Sequence, residues 1–153
     1  MASGNAMSPH PAGCRSDVDV RQYAFELPAA AASVCTARRL TRSRLTRWDL
    51  CEDVCETATL VMSELVTNAV VHTASELIMC ELHNGERNIR IAVRDQGFGT
   101  RGPLVRRTPP ADEHGRGLLL VAAVSSAWGT HEVAPGSGLV VWAELPHSAE
   151  PAC

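Results

Sequence analysis

The sequence predicts a two-layer α/β sandwich: a mixed, mostly antiparallel sheet carrying its helices on one face. Three observations predict it. Strand-like runs follow one another directly near residues 76–95 and again near 127–145, and strands adjacent in sequence pair antiparallel. A long stretch between them and the N-terminal third repeats its apolar residues every three and four positions, the helix period. Finally, 153 residues with 45% hydrophobic and 20% charged side chains have the balance of a globular chain long enough to bury one core.

Taken in order, residues 1–20 are rich in Ser, Gly, Pro and Ala without an apolar period and read as a tail outside the domain. The domain is expected over 21–147, with a second short tail at 148–153. Arg21 to Leu27 alternates through Tyr23 and Phe25 and stops at Pro28, as a strand does. Ala29 to Arg44 has high helix propensity and a basic face of Arg38, Arg39, Arg42 and Arg44, either solvated or matched to an acidic protein. Asp49 precedes the longest helical pattern, from Cys51 to His72, with Val54, Ala58, Val61, Leu65 and Ala69 on one side. Glu76 to Asn84 and Asn88 to Asp95 form a hairpin around Gly85-Glu86, with Ile89, Ile91 and Val93 alternating against Arg90 and Arg94. Residues 96–113 hold repeated glycines and prolines and read as a lid. A helix over Gly117 to Ser126 and a strand over Ala127 to Val133 follow. Leu139 to Leu145 then alternates after the Pro135-Gly136-Ser137-Gly138 turn.

Composition also narrows the function. A formal net charge of -3 gives no reason to expect nucleic acid as a partner. No run of about 18 consecutive apolar residues is present, so no membrane partner is expected and the chain is placed in the cytoplasm. The six cysteines lack a CxxC pair and are expected to be reduced there. All fourteen basic residues are Arg, which excludes the phosphate-binding loop that depends on a lysine.

Three short motifs carry chemistry. Glu64, Asn68 and His72 recur every four residues, so a carboxylate and an amide share one helical stripe. Such a stripe is often only solvated; as a site, its amide oxygen suits Mg²⁺, a hard cation that takes oxygen ligands and keeps several waters. Asp95 closes a strand ahead of Gly97 and Gly99. A buried carboxylate accepts hydrogen bonds only and suits a purine amino group, while glycines let backbone lie against a flat ring; an ordinary Asp turn has the same letters. Gly115, Arg116 and Gly117 open the last predicted helix at Leu118, where free amides and a guanidinium suit phosphate, unless the glycines only loosen the helix entry.

Taken together, Leu60-Val61-Met62-Ser63-Glu64-Leu65-Val66-Thr67-Asn68-Ala69-Val70-Val71-His72, Asp95-x-Gly97-x-Gly99 and Gly115-Arg116-Gly117-Leu118 resemble the Bergerat-fold ATPases, which include gyrase and the histidine kinases. Within that superfamily the chain looks most like the small anti-sigma-factor serine kinases and the related single-domain ATP-binding regulators of actinomycetes, over Tyr23 to Pro146. The resemblance implies ATP and Mg²⁺ as cofactors, with Glu64 as catalytic base, Asn68 as Mg²⁺ ligand and Asp95 on the adenine amino group. It further implies that Gly97 and Gly99 shape the base pocket. Gly115, Arg116, Gly117 and Leu118 would lie by the phosphates under a lid from Thr100 to His114. Where many relatives carry a threonine after the last glycine turn, this chain has Leu139, Val140 and Val141, which predicts weaker adenine binding. The implied activity is a serine/threonine protein kinase acting on a small antagonist protein and controlling transcription; the alternative is a non-catalytic switch that binds protein when ATP is bound. Implied partners are a sigma factor or an anti-sigma-factor antagonist, with a homodimer as a further expectation.

Overall fold

The computed structural model describes residues 21–73, 75–96, 112–133 and 138–147, with backbone alone over 112–117. Its elements are β1 (Arg21–Pro28), α1 (Ser33–Arg47), α2 (Glu52–His72), β2 (Leu77–Asn84), β3 (Asn88–Asp95), α3 (Asp112–Val124), β4 (Ala127–Glu132) and β5 (Leu139–Pro146). The two tails fall outside the described residues. One five-stranded sheet runs β1-β2-β3-β5-β4, and each of its pairings is antiparallel, in keeping with the mostly antiparallel sheet expected. The expected α/β sandwich with helices on one face is what forms.

Alternation decides which side chains face the helices. Leu27, Ile78, Cys80, Leu82, Ile89, Ile91, Val93, Val141, Ala143 and Leu145 point to one side and are buried. Against them α2 sets Ala58, Val61, Met62, Leu65 and Val66, all essentially inaccessible, so the helix lies over β3 and β5 with α1 and α3 beside it. Among the described residues α2 alone is long and apolar enough to cross a membrane, and half of that window is buried inside the domain, as in a core helix. On the other face no helix covers the sheet among the described residues. There Arg90 lies over the Trp142 ring at 4.5 Å and reaches Glu144 at 3.5 Å, and long side chains shelter Ala92 and Val140.

Helix ends depart from the propensity reading for identifiable reasons. Residues Ala29 to Ala32 do not join α1: the Ser33 hydroxyl donates to the Pro28 carbonyl at 2.7 Å and Ala30 N–H to the same carbonyl at 2.8 Å, which holds a turn there. At its far end α1 runs to Arg47 and stops at Asp49, whose φ of 66° is left-handed. Leu50 N–H donates to Leu45 and Asp49 N–H to Thr46, a Schellman-type end with Asp in the position glycine usually takes. Asp49 therefore closes α1, and Cys51 is the residue that opens α2. Among the described residues Cys35, Cys55 and Cys80 are free thiols.

Candidate functional site

The first motif lies where the period placed it. α2 has its apolar stripe on the sheet, and Glu64, Asn68 and His72 emerge half-buried along one edge of it. Among the described residues neither Glu64 nor Asn68 has a hydrogen-bond or ion-pair partner. No three His, Cys, Asp or Glu side chains converge on one point among the described residues. The single amide oxygen of Asn68 suits Mg²⁺, which takes few protein ligands and keeps several waters when it travels with phosphates.

Asp95 closes β3 facing the helices and is only 5% exposed. Its Oδ1 accepts a hydrogen bond from Leu139 N–H at 3.1 Å, tying the start of β5 to the end of β3. Gly138, just before, has a φ of 128°, and a Cβ there would stand 2.3 Å from the Asp95 carbonyl oxygen. Only glycine meets both the dihedral and the approach. The neighbouring position is anchored too: Gln96 N–H donates to Ser75 Oγ at 3.1 Å, and Ser75 N–H donates to Thr73 Oγ1 at 2.9 Å. Because Thr73 N–H continues to Ala69 at 2.8 Å, this chain of bonds fastens the end of α2 to the residue after Asp95. The last turn of α2, which begins just past Asn68, is thereby tied to the residue after Asp95.

The third motif is placed differently from expectation. The last helix starts at Asp112, not Gly117, so Gly115, Arg116 and Gly117 lie in its second turn and the unpaired amides of its mouth belong to residues ahead of them. Asp112 to His114, expected in the lid, form the first turn of α3; the remaining lid positions, with Gly97 and Gly99, lie outside the described residues. Leu118 is partly buried and packs against the core, and α3 packs beside α2.

Sequence reasoning missed three participants: Gly138, the Leu139 amide and the Thr73-Ser75 clamp. The turn at Pro135-Gly136-Ser137-Gly138 was visible, but the backbone it would press against was not. Two shallow grooves of about 200 and 300 Å³ lie on the bare face of the sheet, lined by residues such as Arg90, Arg94, His131, Gln22 and His83, and include none of these motifs.

Burial raises the Cys80 thiol to about 12, with Glu81 adding to the shift, and burial also raises Cys55. Both are inert thiols packed in the core rather than nucleophiles.

No curated protein matches the chain at a significant level. A family model described as the histidine kinase-like ATPase domain matches residues 27–144, from the end of β1 to near the end of β5. That span holds the three described helices, β2 to β4, most of β5 and all three motifs, and the protein accordingly belongs to the histidine kinase-like ATPase domain family, an ATP-binding fold.

Proposed function

We propose that this ATP-binding domain is a regulatory serine/threonine kinase of the anti-sigma-factor type, transferring the γ-phosphoryl group of ATP to a serine of a small antagonist protein. The observation that carries the reading is the pairing on α2 of Glu64 with Asn68, one turn apart and without partners among the described residues, on the helix whose C-terminal end is tied to the residue after Asp95. Binding of ATP alone has no need of an open carboxylate there. Asp95 fits the base end: it is nearly buried, it can only accept, and it is oriented by Leu139 N–H in a position that would take a purine amino group. Asn68 offers a neutral oxygen that fits Mg²⁺, which when bound neutralises the charge on the phosphates.

In the step itself the serine Oγ–Pγ bond forms, the bond from Pγ to the bridging oxygen of ADP breaks, and the hydroxyl proton passes to the Glu64 carboxylate. Phosphoryl transfer asks mainly for position and charge, and a single oriented carboxylate beside the nucleophile suffices as base. Sigma factor or antagonist would bind beside the phosphates, in the cytoplasm, with a homodimer as the assembly.

Calorimetric titration of ATP with and without Mg²⁺ tests the reading, followed in the same samples by assay of ADP and of phosphoserine on small antagonist proteins. Mg²⁺-dependent binding with transfer that Glu64→Gln abolishes is the expected result. Full transfer by Glu64→Gln removes the base; binding without any transfer replaces the kinase by a nucleotide-dependent protein-binding switch.

A further inference from the structure

The ladder between β2 and β3 ends at the pair Ile78 and Asp95. Ala29 N–H donates to the Glu76 carbonyl at 2.8 Å, so Glu76 turns its carbonyl toward β1 and Leu77, next in the chain, turns its own toward β3. Continued by one residue, the register sets Gln96 opposite Leu77, and a direct bond from Gln96 N–H to that carbonyl would be the next rung. Ser75 Oγ stands in its place. It accepts from Gln96 N–H at 3.1 Å and donates to the Leu77 carbonyl at 3.2 Å.

The surrounding bonds fix the protons. A carbonyl can only accept, so the Ser75 proton points to Leu77, and the 2.8 Å contact between the two hydroxyls is a bond donated by Thr73 to Ser75. Thr73 Oγ1 in turn accepts from Ser75 N–H at 2.9 Å. Ser75 Oγ thereby gives one hydrogen bond and accepts two, which is all a hydroxyl can make. The sheet has no need of this device, because a direct rung would satisfy the same two backbone groups with any residue at position 75. What the hydroxyl changes is where the backbone leaving Asp95 lies, set back from β2 by the intervening oxygen. It also ties that backbone, through Thr73 and its N–H to Ala69, to the last turn of α2.

We infer that Ser75 is a positioning residue of the nucleotide site: its hydroxyl, inserted between Leu77 and Gln96, sets the Asp95 carboxylate for a purine amino group. Leu139 N–H holds that carboxylate from the β5 side, at Oδ1, and Ser75 holds the backbone that carries it from the β2 side. An acceptor selects among ligands only when it is fixed where the donor arrives, since hydrogen bonds weaken steeply with misalignment. Ser75 acts through Asp95 and needs no contact of its own with the nucleotide. The inference rests on the reading of Asp95 as the group that meets the base.

The test compares ATP with ITP, in which an oxo group replaces the purine amino group, by calorimetric titration of the full chain with Mg²⁺. Wild type binds ATP at least about thirtyfold more tightly than ITP, and Ser75→Ala narrows that ratio at least about fivefold by weakening ATP. Ser75→Thr, which keeps the hydroxyl, restores the ratio. A merely structural role would lower both affinities together, or the melting temperature alone, and leave the ratio as it was. Should Ser75→Ala fail to fold, Thr73→Val takes its place: it removes the proton given to Ser75 and the acceptor of Ser75 N–H while keeping the side-chain shape, and narrows the ratio in the same direction. A ratio preserved in the variant, or one that Ser75→Thr does not restore, overturns the proposal and leaves the Asp95 reading standing. No preference for ATP over ITP in wild type overturns the Asp95 reading and the proposal with it.

Discussion

Asp95 is held in place by its own fold: Leu139 N–H engages its Oδ1 at 3.1 Å, and Gly138 presses against its carbonyl. Glu64 and Asn68, on α2, have no polar partner among the described residues and stand half-exposed along a helix edge. The contrast is one of preorganisation. At the Asp95 end backbone contacts have already met the ordering cost, and a ligand gains affinity and selectivity from that; at the α2 end the side chains are free to adjust to whatever charge arrives. A site built this way is expected to recognise the base rigidly and to handle the phosphates with residues that contribute little to folding.

Breaking the two ends separately tests the contrast. The largest effect belongs to Glu64→Gln: turnover falls about 10²–10⁴-fold, the usual weight of a general base, while ATP affinity and thermal stability are unchanged. Equal loss of binding would mean that the carboxylate holds the ligand and does not act on the nucleophile. Next is Gly138→Ala, which forces a Cβ toward the Asp95 carbonyl at 2.3 Å with φ at 128°. It should cost about 3 kcal/mol of stability, by chemical denaturation, with ATP affinity lost alongside. A variant as stable as wild type would show that the β5 entrance relaxes easily and that Asp95 is not rigidly held.

Asp95→Asn exchanges an acceptor-only group for one that also donates. ATP binding should weaken by about 2 kcal/mol, some 30-fold, by calorimetry, with a smaller loss of stability through the Leu139 bond. Asn68→Ala should leave the melting temperature within about 1 °C and remove the advantage that Mg²⁺ gives to ATP binding. The smallest step touches neither end. Cys80 lies at 0% exposure in β2, with its thiol raised to about 12 by burial. Unfolded, that thiol ionises from its ordinary value near 9 and the folded form does not, so stability is retained below pH 9 and lost as pH rises toward 12. The slope from this group is about 1.4 kcal/mol per pH unit at most, and Cys80→Ala should flatten it.

Much of the fold was legible because period and burial coincide. The 3.6 repeat from Val54 to Ala69 identified α2, and alternation through Ile89, Ile91 and Val93 identified β3, since in both the residues that recur are those the core covers. Ends were less legible. Alanines at 29–32 carry helix propensity, yet hydrogen bonds from Ala30 and Ser33 to the Pro28 carbonyl turned them out of α1; Asp49 looked like the start of one helix and proved to close another. The glycines at 115 and 117 suggested a helix mouth, but helix α3 begins at Asp112, because local flexibility does not forbid helix when neighbouring turns propagate it.

By itself the sequence determined the layer architecture and the stripe that groups Glu64 with Asn68, and it named the residue types of the candidate site, all consequences of chemistry and spacing along one element. Tertiary structure alone decided what surrounds Asp95. The Leu139 amide, the missing Cβ of Gly138 and the Ser75 hydroxyl reach it or its neighbour from other segments. Two of those three contacts are made by backbone, which has the same donors and acceptors at nearly every position and so leaves no mark in the sequence until the chain is folded.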